Sequence, residues 1–241
     1  MKKEEWMQDL KEKAKKMKIE LSNQQLEQFY LYMNLLLEWN EKINLTTIVE
    51  PNEIILKHFI DSITLISYLN NTQSILDVGT GAGFPGIPLA ILEKNKNFIL
   101  MDSLNKRINF LQEIIQKLAL TKVQAIHGRA EELGKEEEYR EHYDLVTSRA
   151  VAKLNILLEY MLPFVKVGGR CICMKSQEIE EELKEAKKAI EVLGGKLEKV
   201  EEIHLPESDI KRKIVVIKKV KQTPIQYPRK PGTPVKDPIC S

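Results

Sequence analysis

Apolar residues Trp6, Leu10, Ala14 and Met17 recur at helical spacing among lysines and acids near the start of the chain, which predicts an amphipathic helix over residues 3–18. Ser22 and Gln25 have the spacing of a capping box. They open a second helix with an apolar stripe of Leu26, Phe29, Tyr30, Met33 and Leu37. The periodicity lapses over residues 39–47, and Pro51 then suits the first turn of a third helix carrying Ile54, Ile55, Phe59, Ile63 and Ile66 on one side. From Ser74 onward the pattern changes. Short apolar runs at residues 75–78, 98–101, 123–127, 143–147 and 170–175 alternate with helical stretches at 106–120, 154–161 and 177–193. Two more runs, 197–204 and 214–217, follow each other with no helix between them.

Strands alternating with helices predict an α/β fold with a doubly wound, mainly parallel sheet of seven strands. The final pair should bring one antiparallel strand to the edge. Three parts are expected: an N-terminal helical extension (1–70), a sheet domain (71–220) and a Pro-rich basic tail (221–241).

The stretch SILDVGTGAGFPGIP joins the first run to the helix-forming residues 89–92. Gly79, Gly81 and Gly83 at alternate positions mark a tight turn whose backbone needs positive φ and close approach to a ligand. The helix behind it should aim free N–H groups at an anionic, nucleotide-like guest. Two guests stay open. Gly81, Gly83 and Gly86 fit the G-x-G-x-x-G of a dinucleotide fold, with Asp102 near the spacing of a ribose-binding acid, which would make a nicotinamide oxidoreductase. The run from Asp77 instead reads D-x-G-x-G-x-G, a pattern associated with S-adenosylmethionine-dependent methyltransferases.

Composition narrows the class. With 43% hydrophobic and 30% charged residues the chain reads as a soluble globular protein, and no apolar run nears the ~20 residues of a membrane span. The first residues lack the apolar segment of a secretion signal, so a cytoplasmic protein is expected. Three cysteines, an odd number, argue against a disulfide framework; Cys171 and Cys173 share one face of an expected buried strand and Cys240 lies in the tail, so no metal is expected on them. A net charge of +2 does not by itself indicate nucleic acid.

Candidate chemistry clusters at strand ends. Asp102 can accept from both hydroxyls of a ribose. Ala130 and Glu131, in GRAEEL, stand where a backbone N–H and an acceptor could read an adenine edge, and Arg149 follows the fourth strand. His58 and Asp61, three apart on a helix, either brace that helix or serve the mouth of the site. In the tail, Tyr227 beside Arg229 and Lys230 offers a stacking ring and two cations to RNA; the alternative is a terminus lying across the domain.

With these residues in view the chain resembles the small-subunit ribosomal RNA methyltransferase G family, also called glucose-inhibited division protein B. The resemblance rests on WNEKINLT, KHFIDS, DVGTGAGFPGIPLAI, DSLNKRINFL, GRAEE, SRAVAKL and YPRKPGTP. It implies a Rossmann-like class I methyltransferase fold and transfer of a methyl group from S-adenosylmethionine to N7 of one guanosine of 16S ribosomal RNA, free or in the small ribosomal subunit. Gly79, Phe84, Ala130, Glu131 and Arg149 would contact the cofactor, with Asp102 on its ribose. Arg149 would orient the cofactor or grip an RNA phosphate. No general base is expected, because N7 carries a lone pair and no proton, and no protein or membrane partner is implied. The other functional class is an RNA-binding ribosome-assembly protein that keeps the fold without turnover.

Overall fold

The structure, a computed structural model, describes residues 2–149, 152–176 and 179–240. Ala150, expected beside Arg149, and Gln177, the expected start of a helix, lie outside the described residues.

Two long helices, α1 (Lys3–Lys16) and α2 (Asn23–Ile43), open the chain. Short turns follow: α3 (Pro51–Ile54), a π segment (Ile55–Ile60), α4 (Asp61–Ile63) and a 3-10 turn (Ile66–Leu69). The sheet region then runs β1 (Ser74–Val78), α5 (Gly86–Leu92), β2 (Asn97–Asp102), α6 (Asn105–Lys117), β3 (Val123–His127) and α7 (Ala130–Leu133). It continues with β4 (Tyr143–Arg149), α8 (Leu154–Met161), β5 (Val165–Lys175), α9 (Glu180–Val192), β6 (Gly195–His204) and β7 (Lys211–Lys219). A last turn, α10 (Thr233–Lys236), lies in the tail.

The seven strands are ordered β3-β2-β1-β4-β5-β7-β6, parallel except for β7, which runs antiparallel to both its neighbours. The antiparallel strand is therefore inside the sheet and not at its edge. Burial explains the exchange: Ile214, Val215, Val216 and Ile217 of β7 are fully buried, whereas β6 (GKLEKVEEIH) is charged and mostly exposed. The apolar strand takes the interior place and the charged one guards the edge.

Successive strands are added leftward from β1 to β3 and rightward from β4, so the strand order switches between the parallel β1 and β4 and leaves a crevice beyond their carboxyl ends. The N-terminal helices close one face of the sheet beside it. Trp6, Leu10 and Ala14 of α1 are buried, and the Trp6 ring meets Phe59 edge-on at 6.0 Å. In α2 the capping box is formed, with Ser22 and Gln25 exchanging hydrogen bonds. Its buried set differs from the expected stripe: Tyr32 and Leu36 are fully buried, while Tyr30 and Leu37 are only partly so. The helix is covered on two sides, by α1 and by α5 and α6, so a single stripe underestimates what it buries.

Candidate active site

The glycine turn has the backbone that its residues require. Gly79, Gly81 and Gly83 have φ of 67°, 62° and 97°. Beneath it Asp77, at the interior of β1, accepts from Thr80 Oγ1 at 2.7 Å and from the Gly86 amide at 2.9 Å through one oxygen, Oδ2. The first amide of α5 is thus engaged by the chain's own carboxylate and is not aimed at a guest. Asp77 Oδ1 and Thr147 Oγ1, register partners on β1 and β4, are buried without hydrogen-bond partners among the described residues. Burial raises the Asp77 carboxyl to about 6.

Beyond the turn lies a cavity of about 300 Å³ lined by Gly79, Asp102, Ala130, Glu131, Met101 and Tyr160, among others. The ends of the parallel strands β1 and β2 supply Gly79, Met101 and Asp102, α7 after β3 supplies Ala130 and Glu131, and α8 supplies Tyr160. Asp102 closes β2. Its Oδ1 accepts from the Leu104 amide at 2.9 Å, and its Oδ2 from the Gly81 amide at 3.0 Å and Arg107 Nη1 at 3.1 Å. Three of roughly four acceptor directions are used, two by backbone amides and one by a guanidinium. Gly81 and Gly83 do not line this cavity: Gly81 tethers Asp102, and a Cβ on Gly83 would meet Ile87 at 2.7 Å and the Tyr32 hydroxyl at 2.8 Å.

Phe84 and Arg149 sit apart from that cavity. Phe84 is 4% exposed, stacked on His58 with centroids 4.4 Å apart and on Tyr32 at 5.4 Å, while the Tyr32 hydroxyl donates to Ala82 O. The Arg149 guanidinium lies 4.8 Å from the Phe84 centroid and donates to Lys57 O at 3.2 Å and to His58 Nδ1 at 3.1 Å, with Asp61 Oδ2 at 3.4 Å. Asp61 also accepts from Arg212 Nε at 2.9 Å. Arg149, His58, Asp61 and Arg212, but not Phe84, border a second cavity, about 430 Å³, together with Lys57, Lys175 and Met174. Strand alternation accounts for the split: Ser148 turns to Val78 O at 2.8 Å, so Arg149 turns to the opposite face, toward the N-terminal helices. His58 and Asp61 thus tie their segment to β4 and β7 through Arg149 and Arg212. Burial, then the Arg149 charge, lowers the His58 imidazole to about 3. Burial raises the Asp61 carboxyl against the opposing pull of Arg212 and Arg149.

Several participants escaped the sequence reading. Arg107 and Tyr160 line the first cavity, and Lys175 and Arg212 the second. Arg107 follows Asp102 closely enough on α6 to be found by spacing; Tyr160 and Arg212 are distant in sequence and carry no such signal.

The tail gives a different picture from a free RNA-binding arm. Arg229 donates through Nε at 3.0 Å and Nη2 at 2.8 Å to Glu159, a fully buried acid of α8, and through Nη1 to Asp237 at 3.1 Å. Its charge is committed internally, because a buried carboxylate requires a partner. Tyr227 is half-buried against the core formed around α8, and its carbonyl accepts from Arg140 at 2.8 Å. Lys230 remains exposed.

The profile of the family described as rRNA small subunit methyltransferase G matches residues 25–215. A ribosomal RNA small subunit methyltransferase G of Desulforamulus reducens is 56% identical over 233 residues, 96% of this chain and 97% of that one. Its namesake in Alkaliphilus metalliredigens is 52% identical over 232 residues, 95% of this chain and 97% of that one. Among solved structures, magnesium protoporphyrin IX methyltransferase of Synechocystis, crystallised with bound S-adenosylmethionine, is similar in fold. Its TM-score is 0.56 at 13% identity, over 77% of this chain and 96% of that one. A profile spanning most of the chain and relatives identical at half its positions agree with the carboxylate, glycines and sheet order described above: the chain belongs to the rRNA small subunit methyltransferase G family.

Proposed function

We propose that this protein transfers a methyl group from S-adenosylmethionine to small-subunit ribosomal RNA, at N7 of one guanosine of 16S RNA. The observation that carries the reading is the convergence of Gly79, Asp102, Ala130 and Glu131 on one cavity at the switch point of the sheet, in a member of this family. The residues present fit the cofactor. Asp102 is a ribose acceptor, Met101, Ala130 and Tyr160 offer apolar wall to a purine, and the glycine backbone allows close approach. When bound, S-adenosylmethionine supplies an electrophilic methyl.

The protein's own contribution is alignment. Guanine N7 offers an in-plane lone pair, so no residue has to remove a proton before transfer. Ser148 and Arg149 are the last residues of β4, where an amine-polarising Asn/Asp-Pro-Pro run would be needed for an exocyclic nitrogen. Cys171 and Cys173 are buried in β5, and burial pushes the Cys171 thiol well above its ordinary range, which is unsuited to a nucleophile on a pyrimidine carbon. Arg149, with its fork held by His58 and Asp61, borders the neighbouring cavity with Lys57, Lys175 and Arg212, which are paired with Glu53, Glu182 and Asp61, and an RNA phosphate would approach this cluster in competition with those carboxylates.

The test incubates the protein with methyl-labelled S-adenosylmethionine and either 16S RNA or assembled small subunits. Label should appear as N7-methylguanosine at one position. Saturable cofactor binding with no transfer to either substrate would replace this reading with that of an assembly factor.

A further inference from the structure

The tail is tied down more firmly than a proline-rich basic segment requires. Arg140 donates to Thr223 O at 2.7 Å and to Tyr227 O at 2.8 Å, and Glu141 accepts from the Thr223 amide at 2.7 Å. Glu159 accepts from the Arg229 amide at 2.8 Å as well as from its guanidinium. The Gly232 amide donates to Glu131 Oε1 at 3.3 Å. The places where these tethers land matter most. Glu131 lines the first cavity, Glu159 precedes Tyr160, which lines it too, and a Cβ on Gly134, just past α7, would lie 3.0 Å from the Pro228 ring. The tail, a strap at this point, thus touches α7 at a residue that lines the cavity and just past the helix's end.

That helix is weak by itself. The four residues of α7 make a single turn, which has no independent stability and takes its position from what packs on it. Glu159 supplies the anchor, since a fully buried carboxylate holds its guanidinium partner far more firmly than a solvated phosphate could.

We propose that Arg229 is a positioning residue for the cofactor pocket: anchored on Glu159, it holds the strap through Gly232 against Glu131 and so fixes α7 as the pocket's outer wall. This rests on reading the first cavity as the S-adenosylmethionine site. The tail then acts on cofactor binding and not on RNA binding.

The test compares wild type, Arg229→Gln and the double variant Glu159→Gln/Arg229→Gln, which removes both charges and so leaves no buried carboxylate unpaired if the single variant folds poorly. S-adenosylhomocysteine affinity is measured by calorimetry, KM separately for cofactor and RNA, and amide hydrogen exchange over residues 128–134 without any ligand. In Arg229→Gln the affinity and cofactor KM should worsen about tenfold. RNA KM should stay within about twofold and exchange over 128–134 should quicken by about tenfold, with β1 unchanged. The double variant, which has no anchor and no unpaired buried carboxylate, should keep both effects, and recovery there would assign them to the buried charge of Glu159 and overturn the proposal. A rise in RNA KM with cofactor affinity intact, or unchanged exchange over 128–134 in a folded variant, would overturn the proposal. Failure of the wild type to methylate RNA would instead count against the proposed function, because the exchange and binding arms need no RNA.

Discussion

Arg149 Nη2 donates to His58 Nδ1 at 3.1 Å, and the direction of that bond fixes the chemistry of the pair. A guanidinium has no acceptor, so Nδ1 must be the unprotonated nitrogen and Nε2 must carry the hydrogen that reaches Thr46 Oγ1 at 2.9 Å. A second proton on His58 would place two cationic donors face to face inside a buried site. The N-terminal extension thus holds the rim arginine through a neutral histidine.

A pH signature follows from that pairing. The native imidazole titrates at about 3, well below its ordinary 6.5, so the unfolded chain binds a proton first as pH falls. The stability attached to His58 is present above pH 6.5 and drains away between there and pH 3, at up to about 1.4 kcal/mol per pH unit. His58→Gln should lose this component. Urea unfolding of both proteins at stepped pH checks it; superimposable slopes between pH 4 and 6 would contradict the neutral assignment.

Asp77 should show the opposite sign. Its native carboxyl is raised to about 6 from 3.8, so its contribution is present below pH 3.8 and lost as pH rises through 6. At neutral pH the buried charge costs up to about 3 kcal/mol. Asp77→Asn keeps an acceptor for Thr80 and Gly86 and places an N–H₂ where Oδ1 now lies unpaired. It should be more stable than wild type by about 1 kcal/mol at pH 8 and lose that advantage below pH 4, as read by thermal unfolding.

Asp102→Ala should weaken S-adenosylhomocysteine binding by about 1.5–3 kcal/mol, the size of a charge-assisted hydrogen bond. Part of the loss would come from the turn, because the Gly81 and Leu104 amides lose their acceptor. Asp102→Asn separates the two effects by keeping an acceptor without the charge. Calorimetry giving wild-type affinity for the alanine variant would remove Asp102 from the ribose.

Gly86 and Gly81 should fail for different reasons. A Cβ on Gly86 would fall 2.3 Å from Leu100 Cδ2 and 2.9 Å from Asp77 Oδ2, so Gly86→Ala should cost about 1–3 kcal/mol through overpacking. A Cβ on Gly81 meets nothing within 4 Å, and Gly81→Ala should cost only the left-handed backbone penalty of about 1–2 kcal/mol. Paired melting curves test the order; equal losses would mean that the close approach at Gly86 relaxes freely.

Much of this protein was legible in one dimension. The capping box at Ser22, the strand ends at Val78, Asp102 and His127, and the glycines of positive φ all depend on residues within a few positions of each other. Hydrophobic period and turn chemistry report that range directly. The cavity of Gly79, Asp102, Ala130 and Glu131 could be anticipated too, because parallel strands joined by right-handed crossovers bring their carboxyl ends to one rim.

What the sequence alone determined, then, was the alternation of elements and the residues at each strand's end. Only the tertiary structure decided that β7 lies inside β6, that Tyr32 and not Tyr30 backs the glycine turn, that Arg149 faces His58, and that Arg229 meets Glu159. Each of those outcomes is a competition between distant groups for burial or for a charge partner. Periodicity along the chain carries no record of which distant surface will win.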